Sequence, residues 1–249
     1  DRVYELGRIF RNEGIDSTHS AEFTMLEFYE AWGDQKTVAD LTRTIILDVA
    51  DVLGSRRIET PAGVIDLDGE WRWLGVYPGL SEVVGEEVLP QTSLEHLRGI
   101  AAAHDVTLDP AWGEQKVVME LFSELVEPTL LQPTFVHDYP PAAQPLARPH
   151  RSDPALIEAW DLIIGGVERG TGFSELVDPV IQRERLTAQS LEAAAGDPEA
   201  MQLDEDFLDA LELGAPPMGG VGLGLDRLIM LFTGVGIRET ILFPLLRPS

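Results

Sequence analysis

Two short segments near the start of the chain carry side chains suited to a charged small molecule. Arg11 ends a segment whose side chains alternate as in a β-strand, and Phe23, Glu27 and Tyr29 lie on one face of the next. A guanidinium binds phosphate or carboxylate through forked hydrogen bonds, whereas a carboxylate beside a phenol suits an ammonium group. The four side chains could therefore hold a zwitterion next to a nucleotide. The alternative from spacing alone is a solvated sheet face with Phe23 in the core.

A histidine lies between these two segments. His19 belongs to the polar, glycine-containing stretch 12–21, which is typical of a loop, and it lies near Arg11 in any hairpin register. An imidazole at this place could contact a terminal phosphate, and a solvent-exposed loop histidine is the alternative.

A second group of polar side chains lies in a later, largely apolar stretch. It comprises Asp161, Glu168, Thr171, Phe173 and Glu175. A carboxylate among apolar residues is costly unless it is paired or bound to a metal, and oxygen ligands suit Mg²⁺ that is shared with phosphates. Glu168 differs in strand parity from the last three residues, so a bulge at Gly170 or Gly172 is needed to turn all of them to one pocket. An edge hairpin with solvated charges is the alternative.

The run from Gly222 to Arg227 reads Gly-Leu-Gly-Leu-Asp-Arg and precedes an apolar helical segment. Glycines such as Gly224 let the backbone pass close to a ligand, and the start of a helix attracts anions. The helix dipole disfavours Arg227 in the first turn, and a bound polyanion would offset that cost. The run is not a dinucleotide fingerprint, because Leu225 replaces the last glycine and no βαβ unit surrounds it. An isolated glycine turn is the alternative.

The spacing of apolar residues predicts the elements that position the first group. Residues 3–11 and 22–29 form an antiparallel hairpin with a long loop. Helical spacing over residues 36–53 predicts a helix that Gly54 ends. Residues 55–90 are predicted to be short strands and turns.

Residues 92–128 are interpreted as a helical insertion rather than a separate domain. Thr92 and Glu95 form a capping-box pattern for a helix that runs to about His104, and a second helix fits residues 114–125. The whole chain is therefore expected to be one catalytic domain that carries this insertion.

The rest of the chain completes an α+β fold, a largely antiparallel sheet with flanking helices. The predicted elements are an ordered loop at 133–151, two strands within 160–177 joined at Gly165-Gly166, a helical region at 180–213 that ends at Gly214, and a helix from about 226 to 233.

Composition limits the class of protein. With 249 residues and 44% hydrophobic content the chain can form one large core, and it has no apolar run long enough for a transmembrane helix. We therefore expect no membrane contact. Cysteine is absent, which excludes disulfides and thiolate chemistry and fits a cytoplasmic protein. The net charge of −25 argues against strong nucleic-acid binding by this chain alone, because such binding depends on phosphate neutralisation.

Taken in order, these segments resemble the class II aminoacyl-tRNA synthetases. Residues 10–14 (Phe-Arg-Asn-Glu-Gly) and 22–27 (Glu-Phe-Thr-Met-Leu-Glu) are similar to motif 2 in its lysine form, and 222–227 is similar to motif 3. Residues 172–176 (Gly-Phe-Ser-Glu-Leu) are similar to the amino-acid segment of lysyl-tRNA synthetases, especially the actinobacterial type. The resemblance implies the class II catalytic fold, activation of lysine by ATP, and transfer of lysine to tRNA.

The resemblance also implies a role for each matching position. Arg11 and Arg227 would be catalytic. ATP would be bound by Arg11, Glu13, His19, Phe23, Gly224 and Arg227; lysine by Glu27, Tyr29, Thr171, Phe173 and Glu175; and Mg²⁺ by Asp161 and Glu168. The sequence departs from the family in two of these places, since Asp161 stands where Glu is common and Thr171 where Asn is common.

Three parts of such an enzyme are missing from the sequence: the dimer-forming motif 1, an upstream carboxylate for the lysine α-amino group, and the anticodon-binding β-barrel. The chain is therefore expected to be N-terminally truncated, poorly stable and nearly inactive by itself. A full-length homodimer that acts on tRNA(Lys) is expected. A lysine ligase that acts on a protein or feeds lipid lysylation is an alternative. A catalytically silent, synthetase-like regulatory protein is another, against which Arg11, Glu168 and Arg227 argue.

The first prediction concerns the choice of amino acid. Lysine should support ATP–pyrophosphate exchange and leucine should not, because leucine would leave the Glu175 carboxylate desolvated and unpaired. Polar sites that lose their partner can discriminate by ~10⁴-fold. Glu175→Gln should lose most lysine affinity while ATP binding survives. Lysine binding by this variant that equals wild-type binding would contradict the assignment of Glu175 to the lysine site.

Overall fold

The computed structural model describes residues 1–11, 18–194 and 201–244. Nine strands occur in these ranges: β1 Arg2–Phe10, β2 Glu22–Ala31, β3 Arg57–Thr60, β4 Gly63–Asp66, β5 Arg72–Gly75, β6 Thr134–His137, β7 Ala159–Ile164, β8 Val167–Ser174 and β9 Met218–Gly224. Seven of them form one sheet in the order β1-β2-β9-β8-β7-β6-β5, and β3 and β4 form a separate hairpin. Every pair in the large sheet is antiparallel except β5 with β6.

Eight α-helices accompany the strands in the described ranges: α1 Gln35–Leu53, α2 Val76–Val84, α3 Leu94–Ala103, α4 Glu114–Leu125, α5 Pro179–Ala194, α6 Glu205–Glu212, α7 Leu225–Thr233 and α8 Ile237–Thr240. Two single 3₁₀ turns lie at Glu127–Thr129 and Pro141–Ala143. The predicted α+β class, with a mostly antiparallel sheet and flanking helices, is confirmed.

One face of the sheet is covered by α1 and α7. Strand side chains on this face, such as Phe28, Trp160 and Leu223, are buried in one apolar cluster with Ile46 of α1 and Leu228 of α7. The indole Nε1 of Trp160 donates to the Gln35 carbonyl at 2.7 Å, which fixes the start of α1 on β7. This cluster anchors the sheet to α1 and α7.

The opposite face is divided into two parts. Helices α2, α3 and α4 cover only one part, where they share an apolar cluster with Leu74 of β5, Val136 of β6, and Ala159 and Ile163 of β7. The strand face at β2, β9 and β8 carries polar and charged side chains and glycines instead. The charged candidate residues therefore lie on the part of this sheet face that α2, α3 and α4 do not cover.

The first hairpin and the first helix agree with the sequence predictions. Strands β1 and β2 pair in the register Arg8↔Thr24, and α1 ends at Gly54, which has the left-handed φ of 85°. The turn Gly165-Gly166 joins β7 to β8 with φ values of 68° and 69°, as in the type I′ turns that favour glycine.

The predicted bulge exists, although its position differs by one residue. The pairing of β7 with β8 shifts between Leu162 and Ile163, so that Ile163 lies opposite Glu168 and Leu162 opposite Gly170. The extra residue is Arg169, not Gly170 or Gly172. Its insertion reverses the alternation and turns Glu168 to the same face as Thr171.

Several predicted elements were wrong. Residues 55–90 contain helix α2, and residues 133–151 contain strand β6. Helix α2 carries Pro78 in its first turn, where proline is tolerated, and buried Val76, Tyr77 and Leu80 hold the helix in place. Strand β6 is only four residues long and is buried, so its apolar run was hidden among flanking prolines.

Two further boundaries also differ. The N-cap of α3 is Ser93, whose side chain accepts from the His96 amide, whereas the Thr92 hydroxyl accepts from the Leu89 amide. The helical region 180–213 is divided into α5 and α6, since residues 201–204 are not helical. The glycine run before α7 is strand β9, not an isolated turn.

Within the described ranges, no helix is long and apolar enough to span a membrane.

Gly172→Ala is expected to destabilise the fold. An added Cβ would lie 2.8 Å from Trp160 Cε2 and 2.9 Å from Trp160 Cη2, and this indole is fully buried. Overpacking of this kind costs about 1–3 kcal/mol of unfolding free energy. The matched control is Gly99→Ala in α3, where no atom lies within 4 Å and where alanine should stabilise the helix by about 0.5–1 kcal/mol. Urea denaturation of both variants gives the comparison, and equal midpoints would contradict the packing described here.

Candidate active site

A glycine-lined strand forms the floor of the site. Gly222 of β9 pairs with Glu27 of β2 on one side and with Thr171 of β8 on the other, and Thr171 pairs with Asp161 of β7. These residues make one cross-strand row on the face that α2–α4 leave free. Adjacent strands lie about 4.8 Å apart, so Glu27 and Thr171 face each other across a gap about two strands wide.

The next row holds the other residues predicted to bind lysine. Gly220 pairs with Tyr29 on one side and Phe173 on the other. A Cβ on Gly220 would overlap Glu175 Oε1 and would lie 2.7 Å from Tyr29 Cε1. The carboxylate and the phenol therefore converge over Gly220, and only glycine leaves room for them there.

This end of the site is electrostatically unbalanced without a cation. Burial, and then the nearby Glu27 carboxylate, raise the pKa of Glu175 to about 8. Burial, and then Glu175 and Glu27, raise the pKa of Tyr29 to about 12. Glu5 on β1 also lies directly opposite Glu27, and like charges in such pairs repel. A ligand with ammonium groups would relieve both the desolvation and the repulsion.

The other end of the site is a cleft with cationic walls. The predicted residues that line it are Arg11, His19, Phe23, Glu168, Thr171, Gly224 and Arg227. The Arg11 guanidinium lies 5.5 Å from the centre of the Phe23 ring, and its Nη2 is 3.8 Å from Met25 Sδ. A flat base could stack on Phe23 while Arg11 reaches a phosphate beside it.

Arg227, at the start of α7, is held by Thr18, His19 and Glu168, and its Nε donates to the Thr18 carbonyl at 3.5 Å. Its Nη2 lies 2.8 Å from His19 Nε2, its Nη1 donates to the Glu168 carbonyl at 3.2 Å, and the same nitrogen is 3.4 Å from Glu168 Oε2. Because arginine only donates, His19 Nε2 accepts, and the imidazole proton lies on Nδ1 facing Thr18 Oγ1 at 3.1 Å. Glu168 thus offsets in part the unfavourable dipole at Arg227.

The two predicted metal ligands lie on neighbouring strands, Asp161 on β7 and Glu168 on β8. Burial and then Glu168 raise the pKa of Asp161, while hydrogen bonds from Thr171 and Tyr139 lower it. Burial and then Glu168 also raise the pKa of Glu127. Within the described ranges no group of three or more acidic, histidine or cysteine side chains converges on one point. The donor set fits a divalent ion that draws its remaining ligands from phosphate oxygens.

Two residues of importance to the site were missed by sequence reasoning. Asp226 accepts from the Thr24 amide at 2.6 Å and from Thr240 Oγ1 at 3.0 Å, and so fixes the start of α7 on β2 and α8. It had been quoted within the glycine run without a role. Arg169 lines the cleft, and burial and then Arg227 lower its pKa to about 10. No periodicity in the sequence singles out this arginine.

The predicted residues are therefore brought together in two adjoining groups. The acidic group over β2, β9 and β8 consists of Glu27, Tyr29, Thr171, Phe173 and Glu175. The residues that line the cationic cleft are Arg11, His19, Phe23, Glu168, Gly224 and Arg227, together with Thr171 of the first group. Asp161 does not line the cleft itself and lies one strand away from Thr171. Glu13, predicted to bind adenine, lies outside the described residues.

Comparison with known proteins gives a consistent result. The sequence profile of the family described as tRNA synthetases class II (D, K and N) matches residues 1–247. The chain is 52% identical over 256 residues to the lysine–tRNA ligase of Mycobacterium bovis (strain BCG / Pasteur 1173P2), covering 100% of this chain and 51% of that protein. The lysine–tRNA ligase of Kineococcus radiotolerans is 50% identical, covering 100% of this chain and 50% of that protein.

A third relative has a longer chain. The lysylphosphatidylglycerol biosynthesis bifunctional protein LysX of Mycobacterium marinum is 48% identical over 254 residues, covering 100% of this chain and 23% of that protein. The chain thus spans about half the length of the lysine–tRNA ligases that it matches, and less of this bifunctional relative.

Glu175→Gln is expected to change how stability depends on pH in the ligand-free protein. Folding raises the pKa of this acid to about 8, so the folded state binds its proton more tightly than the unfolded state does. The wild type therefore loses stability as pH rises from the ordinary carboxyl range through about 8, and the amide variant does not. Urea midpoints should differ at pH 9 and converge near pH 5. Glu184→Gln, on an exposed position of α5, is the control, and a difference that stays constant with pH would contradict this account.

Proposed function

The chain belongs to the class II tRNA synthetases of the D, K and N group, and we propose that it is the catalytic part of a lysine–tRNA ligase. The observation that carries this proposal is that one site combines an acidic end with an adjoining cationic cleft. Glu27, Tyr29 and Glu175 supply acceptors for two ammonium groups, and the adjoining cleft supplies Arg11 and Arg227 for phosphates.

Lysine is the amino acid that fits this distribution of charge. Glu175, together with the Tyr29 phenol, would accept the ε-ammonium, and Glu27 would accept the α-ammonium. Thr171 and Phe173 lie on β8, opposite Gly222 and Gly220 of β9, where they would border the lysine side chain. Bound lysine would bring positive charge to carboxylates that otherwise repel one another, so amino acids without a side-chain cation would bind far less well.

ATP would occupy the cationic cleft. Phe23 would stack on adenine, Arg11 would hold the α-phosphate together with the lysine carboxylate, and His19 and Arg227 would hold the outer phosphates. The Glu13 position is proposed to contact adenine by resemblance alone. Gly224 would let ATP approach the backbone closely, because it has no side chain. The protein atoms nearest to an added Cβ there are the Arg169 carbonyl oxygen and Arg227 side-chain atoms.

The reaction requires no covalent enzyme intermediate. A lysine carboxylate oxygen attacks the α-phosphorus in line, the bond from that phosphorus to the bridging oxygen breaks, and pyrophosphate leaves with the electron pair. Arg11 would stabilise the charge that accumulates on the α-phosphate oxygens, and positioning of the two substrates would supply the rest of the catalysis. The terminal hydroxyl of tRNA(Lys) would then attack the lysyl carbonyl and release AMP.

A divalent metal ion, Mg²⁺ in this proposal, would neutralise phosphate charge when bound with ATP. Asp161 and Glu168 would be its protein ligands. Since Glu168 Oε2 lies 3.4 Å from Arg227 Nη1 in the ligand-free site, the two side chains would separate as each acquires its own partner.

Phosphatidylglycerol is proposed as an alternative final acceptor of the lysyl group, because the chain matches the bifunctional LysX protein. Lysine activation is common to both proposals, and only the fate of lysyl-tRNA differs. The discriminating experiment is analysis of the intact protein for transfer of lysine to tRNA and to phosphatidylglycerol.

The central test is lysine-dependent ATP–pyrophosphate exchange by the intact protein, followed by charging of tRNA(Lys). Exchange with lysine, and none with leucine or with glutamate, supports the proposal. Absence of exchange with any amino acid, in a sample that binds ATP, would favour a silent synthetase-like protein.

Glu168→Ala should weaken ATP-dependent Mg²⁺ binding far more than lysine binding. The carboxylate is proposed to share the metal with phosphate oxygens, and it takes no part in the acidic group around Gly220. Calorimetric titrations of MgATP and of lysine into the intact protein measure the two effects separately. Glu184→Ala on α5 is the matched control. Unchanged nucleotide and metal affinity in Glu168→Ala would remove this residue from the metal site.

A further inference from the structure

Arg169 occupies an unusual position for a charged side chain. It is the extra residue of the β8 bulge, and it is only 5% exposed. Its Nε and Nη2 donate to the Ile164 carbonyl at 3.1 and 2.9 Å, and its Nη1 donates to the Arg227 carbonyl at 2.7 Å. One side chain therefore ties the end of β7 to the first turn of α7.

This arginine is buried without the partner that a buried charge normally has. No carboxylate within ion-pair distance of Arg169 occurs among the residues that the structure describes. Burial of a cation is costly unless it is paired, and three hydrogen bonds to two carbonyls satisfy part of its donors without neutralising its charge. A second cation, Arg227, lies beside it, and the Arg227 carbonyl accepts from Arg169 Nη1 at 2.7 Å. Of the two arginines only Arg227 faces a carboxylate in the described ranges, that of Glu168 at 3.4 Å, so a bound anion would add negative charge that the pair lacks.

The two arginines are joined reciprocally. Arg169 donates to the carbonyl of Arg227, and Arg227 donates to the carbonyl of Glu168, the neighbour of Arg169 in β8. The same bulge that inserts Arg169 turns Glu168 to the ligand face. Arg169 therefore adds a second link between the strand that carries Glu168 and the helix turn that carries Arg227, beside the direct contacts of these two residues.

We propose that Arg169 is a positioning residue for the triphosphate, which holds Arg227 and Glu168 in the geometry that a metal-bound polyanion requires. The inference rests on the proposed function, in that ATP is the polyanion. Arg169 is itself among the residues that line the cleft. Lysine binding should not depend on it, because the acidic group around Gly220 lies in a different part of the sheet.

The test compares Arg169→Met and Arg169→Lys in the intact protein. Methionine keeps an unbranched side chain of similar length but removes the charge and all three hydrogen bonds. Residues that orient metal ligands typically contribute about 10–100-fold to affinity, so the Kd for MgATP should rise at least about tenfold. The Kd for lysine should change less than about twofold. Lysine at this position keeps the charge but cannot reproduce the forked geometry, so its Kd for MgATP should lie between the other two.

The control is Arg98→Met. Arg98 also donates to two backbone carbonyls, those of Pro110 and Trp112, but it lies on α3 in the helical layer. Its removal should leave both dissociation constants unchanged. Calorimetry gives the constants, and thermal unfolding of each variant shows whether it is folded.

The outcomes separate the two proposals. If the wild type binds no MgATP, or shows no lysine-dependent exchange, the proposed function fails. If the wild type does both and Arg169→Met binds MgATP as well as it does, the role of Arg169 is overturned. Equal losses of MgATP and lysine affinity would make Arg169 a general structural residue and would also overturn the inference. If Arg169→Met does not fold, Arg169→Lys decides, and wild-type affinity for MgATP in that variant overturns the inference.

Discussion

The candidate site depends on a central strand that has almost no side chains on its ligand face. Strand β9 lies between β2 and β8, and Gly220 and Gly222 keep its ligand face bare. Side chains from the flanking strands can therefore lean over it from both sides, as Tyr29 and Glu175 do. The opposite face of the same strand carries Val221 and Leu223, which are buried against α1 and α7. Strand alternation thus gives one segment both a hydrophobic anchor and a clear floor.

Charge is distributed along this floor in a way that a single ligand type cannot satisfy. The end over Gly220 and Gly222 offers the Glu175 carboxyl, whose pKa is raised by burial and then by the nearby Glu27 carboxylate. The end near Gly224 offers guanidinium groups, one of which is stacked near Phe23. A cationic substrate and an anionic one must meet at the boundary for both ends to be neutralised. This arrangement resembles an enzyme that joins two substrates more than a site that only binds one.

Local chemistry in the sequence was sufficient to predict the hairpin β1–β2, helix α1 and its end at Gly54, and the glycine turn between β7 and β8. It also required a bulge near Gly170, because Glu168 and Thr171 could share a face only with one extra residue. It could not find α2 or β6, whose few residues are held by tertiary burial rather than by periodicity. Arg169 was equally hidden, since its partners are backbone carbonyls that have no signature in the sequence. The roles of the predicted site residues stay predictions.

The pairing of β2 with β9 also determines when the site can form during folding. Met25 lies opposite Gly224, a contact that closes a loop of about 200 residues, whereas β1 and β2 meet across one short loop. Contacts of such high sequence separation carry a large closure entropy and form late in slow-folding topologies. Strand β9 must insert between β2 and β8 after both halves of the chain have been synthesised. A partly folded chain would therefore have the charged residues without the floor that brings them together, and ligand binding would report completed folding.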